Sequence, residues 1–100
     1  MPTTTKVLFR GAAATSSTTL YTVPSATTTV VSNIAVVNAS SSAATFTILL
    51  NDVELQFNSA LAANSTAYID LKQVLVATNT IKGLASATSV DFHISGVEIA

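Results

Sequence analysis

Asp91 and His93 stand two residues apart in Val90-Asp91-Phe92-His93-Ile94, and on an extended chain that spacing turns a carboxylate and an imidazole to one side. Such a pair can begin a metal site. A further ligand is needed, however, and the other acids hold no evident spacing to it. The many serines allow a Ser/His/Asp set on paper, but there is no G-x-S-x-G elbow and no Gly-rich oxyanion loop. The sequence therefore assigns no catalytic residue, no metal ligand and no cofactor, and Asp91 and His93 read as a solvated or interface-facing strand surface. Asn38-Ala39-Ser40 and Asn64-Ser65-Thr66 match the glycosylation sequon but read better as turns. Thr27-Thr28-Thr29 is consecutive, so its threonines do not line one face as an ice-binding or adhesin surface requires.

The composition has the same tenor. Hydrophobic residues make up 49% of the chain and charged ones 9%, and most of the rest is Ser and Thr. The net charge is −1, with Lys and Arg scattered, so no basic stripe awaits phosphates and nucleic acid is not an expected partner. Absence of Cys excludes a disulfide framework and a thiolate zinc site. No apolar run approaches the ~20 residues of a membrane span, and Met1-Pro2-Thr3-Thr4-Thr5-Lys6 has no apolar leader core. We expect a soluble product without membrane contact, made in a cytoplasm.

The elements that must position these residues are strands. Apolar residues recur at a period of two between turn signals about ten residues apart, the pattern of an all-β sandwich or barrel. Val90, Phe92 and Ile94 alternate with Asp91, His93 and Ser95, and beyond Gly96 the phase should invert through a bulge, placing Val97 and Ile99 on the apolar side. Ala44–Leu50 and 53–57 read as a hairpin about Asn51-Asp52, because Asx residues tolerate positive φ. The longest strand spans 27–38, with Val30, Ile34 and Val36 on one side and Val31, Ala35 and Val37 on the other. Apolar residues on both sides call for cover on both faces. Shorter strands are expected at 6–10, 18–23, 66–71 and 80–84, with Pro24 ending the second, and one helical turn at 59–64. The expected fold is one antiparallel β-sandwich domain over residues 1–100, jelly-roll-like, with seven or eight short strands. Its core is Val30, Ile34, Val36, Phe46, Ile48, Leu50, Ile69, Leu71, Val90, Phe92 and Ile94, and residues for an interface are Val31, Val37, Tyr21 and His93. Residues 1–5 read as frayed or as an arm that orders on a neighbour.

Leu20-Tyr21-Thr22-Val23-Pro24, Thr29-Val30-Val31-Ser32-Asn33-Ile34-Ala35-Val36-Val37-Asn38, Ala43-Ala44-Thr45-Phe46-Thr47-Ile48 and Gly96-Val97-Glu98-Ile99 occur in an order that resembles small tailed-bacteriophage virion structural proteins. Ser25-Ala26 and Thr78-Asn79 stand where that group usually has glycine. The resemblance, over roughly residues 20–99, implies a β-sandwich with a non-enzymatic role in the virion. The first expectation is a decoration or cement protein on the capsid surface, a homo-oligomer and by analogy a trimer, binding the major capsid protein or another virion protein. The alternative is a neck, tail or fibre-base adaptor. A free carbohydrate-binding domain is a third reading, but Tyr21 and Tyr68 without any Trp are few aromatics for sugar stacking.

Phe92→Ala should cost about 3–5 kcal/mol in denaturant unfolding and His93→Ala little, if the two face opposite ways. Equal and small effects would mean that the strand phase is wrong.

Overall fold

In a computed structural model, described over residues 3–100, the chain forms eight strands and no helix among those residues. They are β1 (Thr3–Ala12), β2 (Thr18–Thr22), β3 (Thr28–Asn38), β4 (Ala44–Leu50), β5 (Val53–Leu61), β6 (Ser65–Leu75), β7 (Thr80–Ala85) and β8 (Val90–Ile99). They pair antiparallel in two four-stranded sheets, ordered β1-β8-β3-β6 and β2-β7-β4-β5. That order makes the sandwich a jelly roll, in which consecutive strands cross between sheets except at the β4–β5 hairpin. The core lies between the sheets, where Phe46 of β4 meets Phe92 of β8 edge-to-face at 6.5 Å.

Turn chemistry closes the strands as the residue types require. Asn51 and Asp52 both take positive φ, at 51° and 63°, in the two-residue hairpin turn. Val23 leaves β2 before Pro24 and exchanges backbone hydrogen bonds with the β6–β7 connection at Asn79 and Thr78. Asn38, the first sequon asparagine, is buried: its amide donates to the Ser42 carbonyl at 2.8 Å and to the Ala62 carbonyl at 3.3 Å, tying two loops at one end. Asn64 sits in the β5–β6 turn at φ 54°.

Several elements run further than the sequence pattern suggests. Thr3–Thr5 begin β1, paired with Ile99, Glu98 and Val97, while Met1 and Pro2 lie outside the described residues. Ser59–Leu61 finish β5, so no helical turn forms there. A bulge keeps that strand in register: Asn58 takes φ 46° and its N–H donates to Thr47 Oγ1 at 3.0 Å. Strand β6 continues to Leu75, which is buried.

The expected phase inversion in β8 does not occur. Gly96 and Glu98 stay on the inner face with Val90, Phe92 and Ile94, and the strands on either side bulge instead. Strand β3 inserts Ser32 between the partners of Gly96 and Ser95, and β1 inserts Leu8 between those of Ser95 and Ile94. The bulge exchanges two assignments: Val31 is fully buried in the core, while Val30 turns outward and is half-buried. Ile34, Val36, Phe46, Ile48, Leu50, Val90, Phe92 and Ile94 are buried together. Ile69 and Leu71 pack against that cluster but stay partly exposed, because β6 is an edge strand.

Glycine at position 96 is a steric requirement. A β-carbon there would stand 2.3 Å from the Val30 carbonyl oxygen and 3.0 Å from Leu8 Cδ1. Since the close atom is backbone, Gly96→Ala should destabilise the fold by roughly 1–3 kcal/mol in chemical denaturation. Gly11→Ala, whose β-carbon would meet only the Phe9 ring at 3.4 Å, is the control and should change stability far less.

Candidate assembly surface

Cross-strand partners share a face, so the register gives the outer surface of the first sheet row by row. Arg10, His93, Ala35 and Tyr68 form one row across β1, β8, β3 and β6. Asp91 lies in the next, with Ala12, Val37 and Thr66. On the other side come Val7, Ser95, Asn33 and Asp70, then Thr5, Val97, Val30 and Val74, with Thr3, Ile99 and Thr28 beyond. One half of this face thus carries charges of both signs. The rows from Thr5 to Thr28 hold only valine, isoleucine and threonine, with Val74 62% exposed and Val7, at their border, 46%.

Asp91 and His93 do share a side, and both are half-buried on this face. Among the described residues no three of His, Cys, Asp and Glu gather closely enough to hold a metal ion. No helix there is long and apolar enough to cross a membrane. The clefts are shallow; one of about 270 Å³ lies where the sheet edges β5 and β6 meet, lined by Leu50, Val53, Glu54, Leu55 and Gln73.

Of the residues expected at an interface, Val37 and His93 lie on the outer face, half-buried. Val31 does not, for the reason given by the Ser32 bulge. Tyr21 does not present its hydroxyl to a partner surface either: the ring packs against the core and the hydroxyl turns inward between the sheets. There it donates to the Glu98 carboxylate and lies 2.9 Å from Thr29 Oγ1. Lys6 approaches the same carboxylate at 3.4 Å. Glu98, on the first sheet, is in this way tied to Tyr21, on the second. The sequence reading missed Val7, Val74, Val97 and Ile99 as an outer set: it expected an inversion at Gly96, ended the strand from Thr66 at Leu71, and had no sign of the Leu8 bulge that sets the side of Val7. Tyr68 and Phe57, 74% and 66% exposed, follow from simple alternation along β6 and from the Asn58 bulge, respectively.

Hydrogen bonding from Tyr21, with help from Lys6, holds the Glu98 carboxyl below the usual carboxylate range despite its partial burial. Burial, and then the Glu98 carboxylate, push the Tyr21 phenol above its ordinary value.

No family model matches the chain, and no curated protein matches it. Two solved structures similar to it are pentameric capsid proteins isolated from metagenomic phage sequences, one of them solved by iodide SAD phasing. The TM-scores are 0.41 and 0.42, at 18% and 21% identity, over 94% of this chain in each case. The chain spans less than two thirds of either protein, 59% and 60% of their lengths.

A depressed folded-state pKa stabilises the fold above the unfolded value, and that stabilisation fades as pH falls through the folded value. Glu98→Gln, which keeps the shape and removes the charge, should therefore be destabilised at pH 7 by roughly 1 kcal/mol. Its deficit relative to the wild type should shrink as the pH is lowered below about 4, near the ordinary glutamate pKa. Unfolding curves at neutral and acid pH check this, and a deficit independent of pH would assign Glu98 a packing role only.

Proposed function

We propose that the protein is a non-enzymatic structural component of a bacteriophage virion, which associates with its own copies and reinforces the head shell. The observation that carries this reading is the charge-free half of the outer sheet face, where an exposed Val74 and half-buried Val30, Val97 and Ile99 lie among threonines. A valine on a sheet face is stabilised by cover, at roughly 25 cal/mol per Å² of apolar area removed from water. Threonine and valine also lose little side-chain entropy when ordered at a contact, in contrast to Lys and Glu. Such a face suits repeated, individually weak contacts, which gain strength when many copies engage one shell.

Two further features support the same reading. The jelly roll is an architecture of viral capsid and lectin domains. A lectin stacks sugars on several aromatic platforms beside polar groups, and among the outward rows of this face Tyr68 is the single aromatic residue. The motif order from Leu20 to Ile99 favours the virion over other addresses. Within it we favour decoration of the head, as trimers contacting the major capsid protein, over an adaptor at the neck, tail or fibre base.

Light scattering on the purified protein at micromolar concentration should give an integral multiple of the chain mass, 10.2 kDa. Val97→Lys and Val74→Lys should reduce that association while leaving the unfolding midpoint of the isolated chain nearly unchanged. A wild-type protein that stays monomeric and does not bind particles would refute the proposal. Images of virions decide the address: hundreds of copies on the head mean decoration, and a dozen or fewer mean neck or tail.

A further inference from the structure

Among the described residues, the first sheet leaves two long edges unpaired. Strand β1 has 10 residues and β6 has 11, and they bound the sheet on opposite sides. Because β1 is antiparallel to β8, β8 to β3 and β3 to β6, the two edge strands run in opposite directions. A rotation about an axis along the strands therefore brings β1 of one copy beside β6 of the next in antiparallel order. Neither strand contains proline, which would remove a backbone donor from the edge.

The charges divide in the same way. The acid of the β6 edge, Asp70, faces outward, and on β1 the outward charge is Arg10. Lys6, the other cation of β1, lies in register with Gly96 and is held by Glu98. Arg10 and Tyr68 occupy the same row of the sheet, and Asp70 occupies the next. Lys72 is the next outward residue of β6 after Asp70, and on β1 the outward residues beyond Val7 are the uncharged Thr5 and Thr3.

We infer that copies of this chain join head-to-tail, β1 of one pairing with β6 of the next, so that the four-stranded sheets continue from copy to copy. The inference rests on the self-associating reading above and names its contact. In this junction Arg10 of one copy stands opposite Tyr68 of its neighbour, placed for a cation–π contact, and diagonal to Asp70 for an ion pair. Two long edges that would otherwise template indiscriminate pairing are consumed by each other. The interface is heterologous, so it closes into a ring when the rotation per copy divides a full turn. Counted on past the Leu8 bulge, the junction sets Val7 opposite Asp70, Thr5 opposite Lys72 and Thr3 opposite Val74, so the charge-free halves of neighbouring copies meet at Thr3 and Val74.

The absence of cysteine makes the test direct. Ala12 and Thr66 share a row, are exposed, and leave Arg10, Tyr68 and Asp70 untouched when replaced. Ala12→Cys and Thr66→Cys are prepared separately, assembled as a mixture and oxidised mildly, with light scattering in parallel. The expected result is a covalent dimer in the mixture and none with either variant alone, and a ladder of higher multimers from the double variant. Asp70→Arg should weaken association roughly tenfold, and Arg10→Asp in the same chain should restore it. Oligomers that form without the mixed cross-link overturn the head-to-tail contact and leave self-association standing. Cross-linking by Thr66→Cys alone also overturns it, in favour of a two-fold pairing of β6 edges. A protein that stays monomeric overturns both.

Discussion

Strand β8 passes straight through the centre of the first sheet because Gly96 lets the Val30 carbonyl come within 2.3 Å of where a side chain would begin. The other placements in this sheet depend on that close approach. With β8 held in one phase from Val90 to Glu98, its neighbours must absorb the mismatch, β1 at Leu8 and β3 at Ser32. Each bulge changes the side on which subsequent residues emerge. Val31 joins Ile34 and Val36 inside the sandwich as a result, and Val30 joins Val97 and Val74 outside.

The same phase places Glu98 between the sheets rather than on the surface. A carboxylate in that position requires partners, and Tyr21 and Lys6 supply them from β2 and β1. Thr29, fully buried beside them, bonds the Tyr21 hydroxyl in turn. Because these residues come from both sheets, the cluster fastens one end of the sandwich, while at the other end Asn38 ties the loops on either side of it. No buried side-chain polar atom among the described residues is left without a partner. A core sealed in this way leaves the outer faces and edges as the surfaces on which the molecule can act.

Much of this was legible in the residues. The alternation of Val90, Phe92 and Ile94 with polar neighbours placed one face of β8 in the core, and Asn51-Asp52 marked a hairpin by its tolerance of positive φ. The apolar residues on both sides of the strand at 27–38 pointed to a second covered surface. Which valines face it was not legible: counting by twos from Ile34 puts Val30 inside, whereas the Ser32 insertion puts Val31 there. Tyr21 likewise read as a surface aromatic, since nothing near it in the chain announces Glu98 across the sandwich.

The sequence by itself determined the all-β class, the inner face of β8, the tight turn at Asn51-Asp52 and the want of any spaced set of reactive groups. These follow from local rules, period-two burial and backbone tolerance, that act within a few residues. Tertiary structure alone decided the bulges at Leu8 and Ser32, the Tyr21–Glu98 contact, and the pairing of opposite edges that leaves β1 and β6 open. The physical reason is common to all three. A bulge, a hydrogen bond between sheets and an unpaired edge are relations between strands distant in the chain, and no alternation within one strand encodes its neighbour's register.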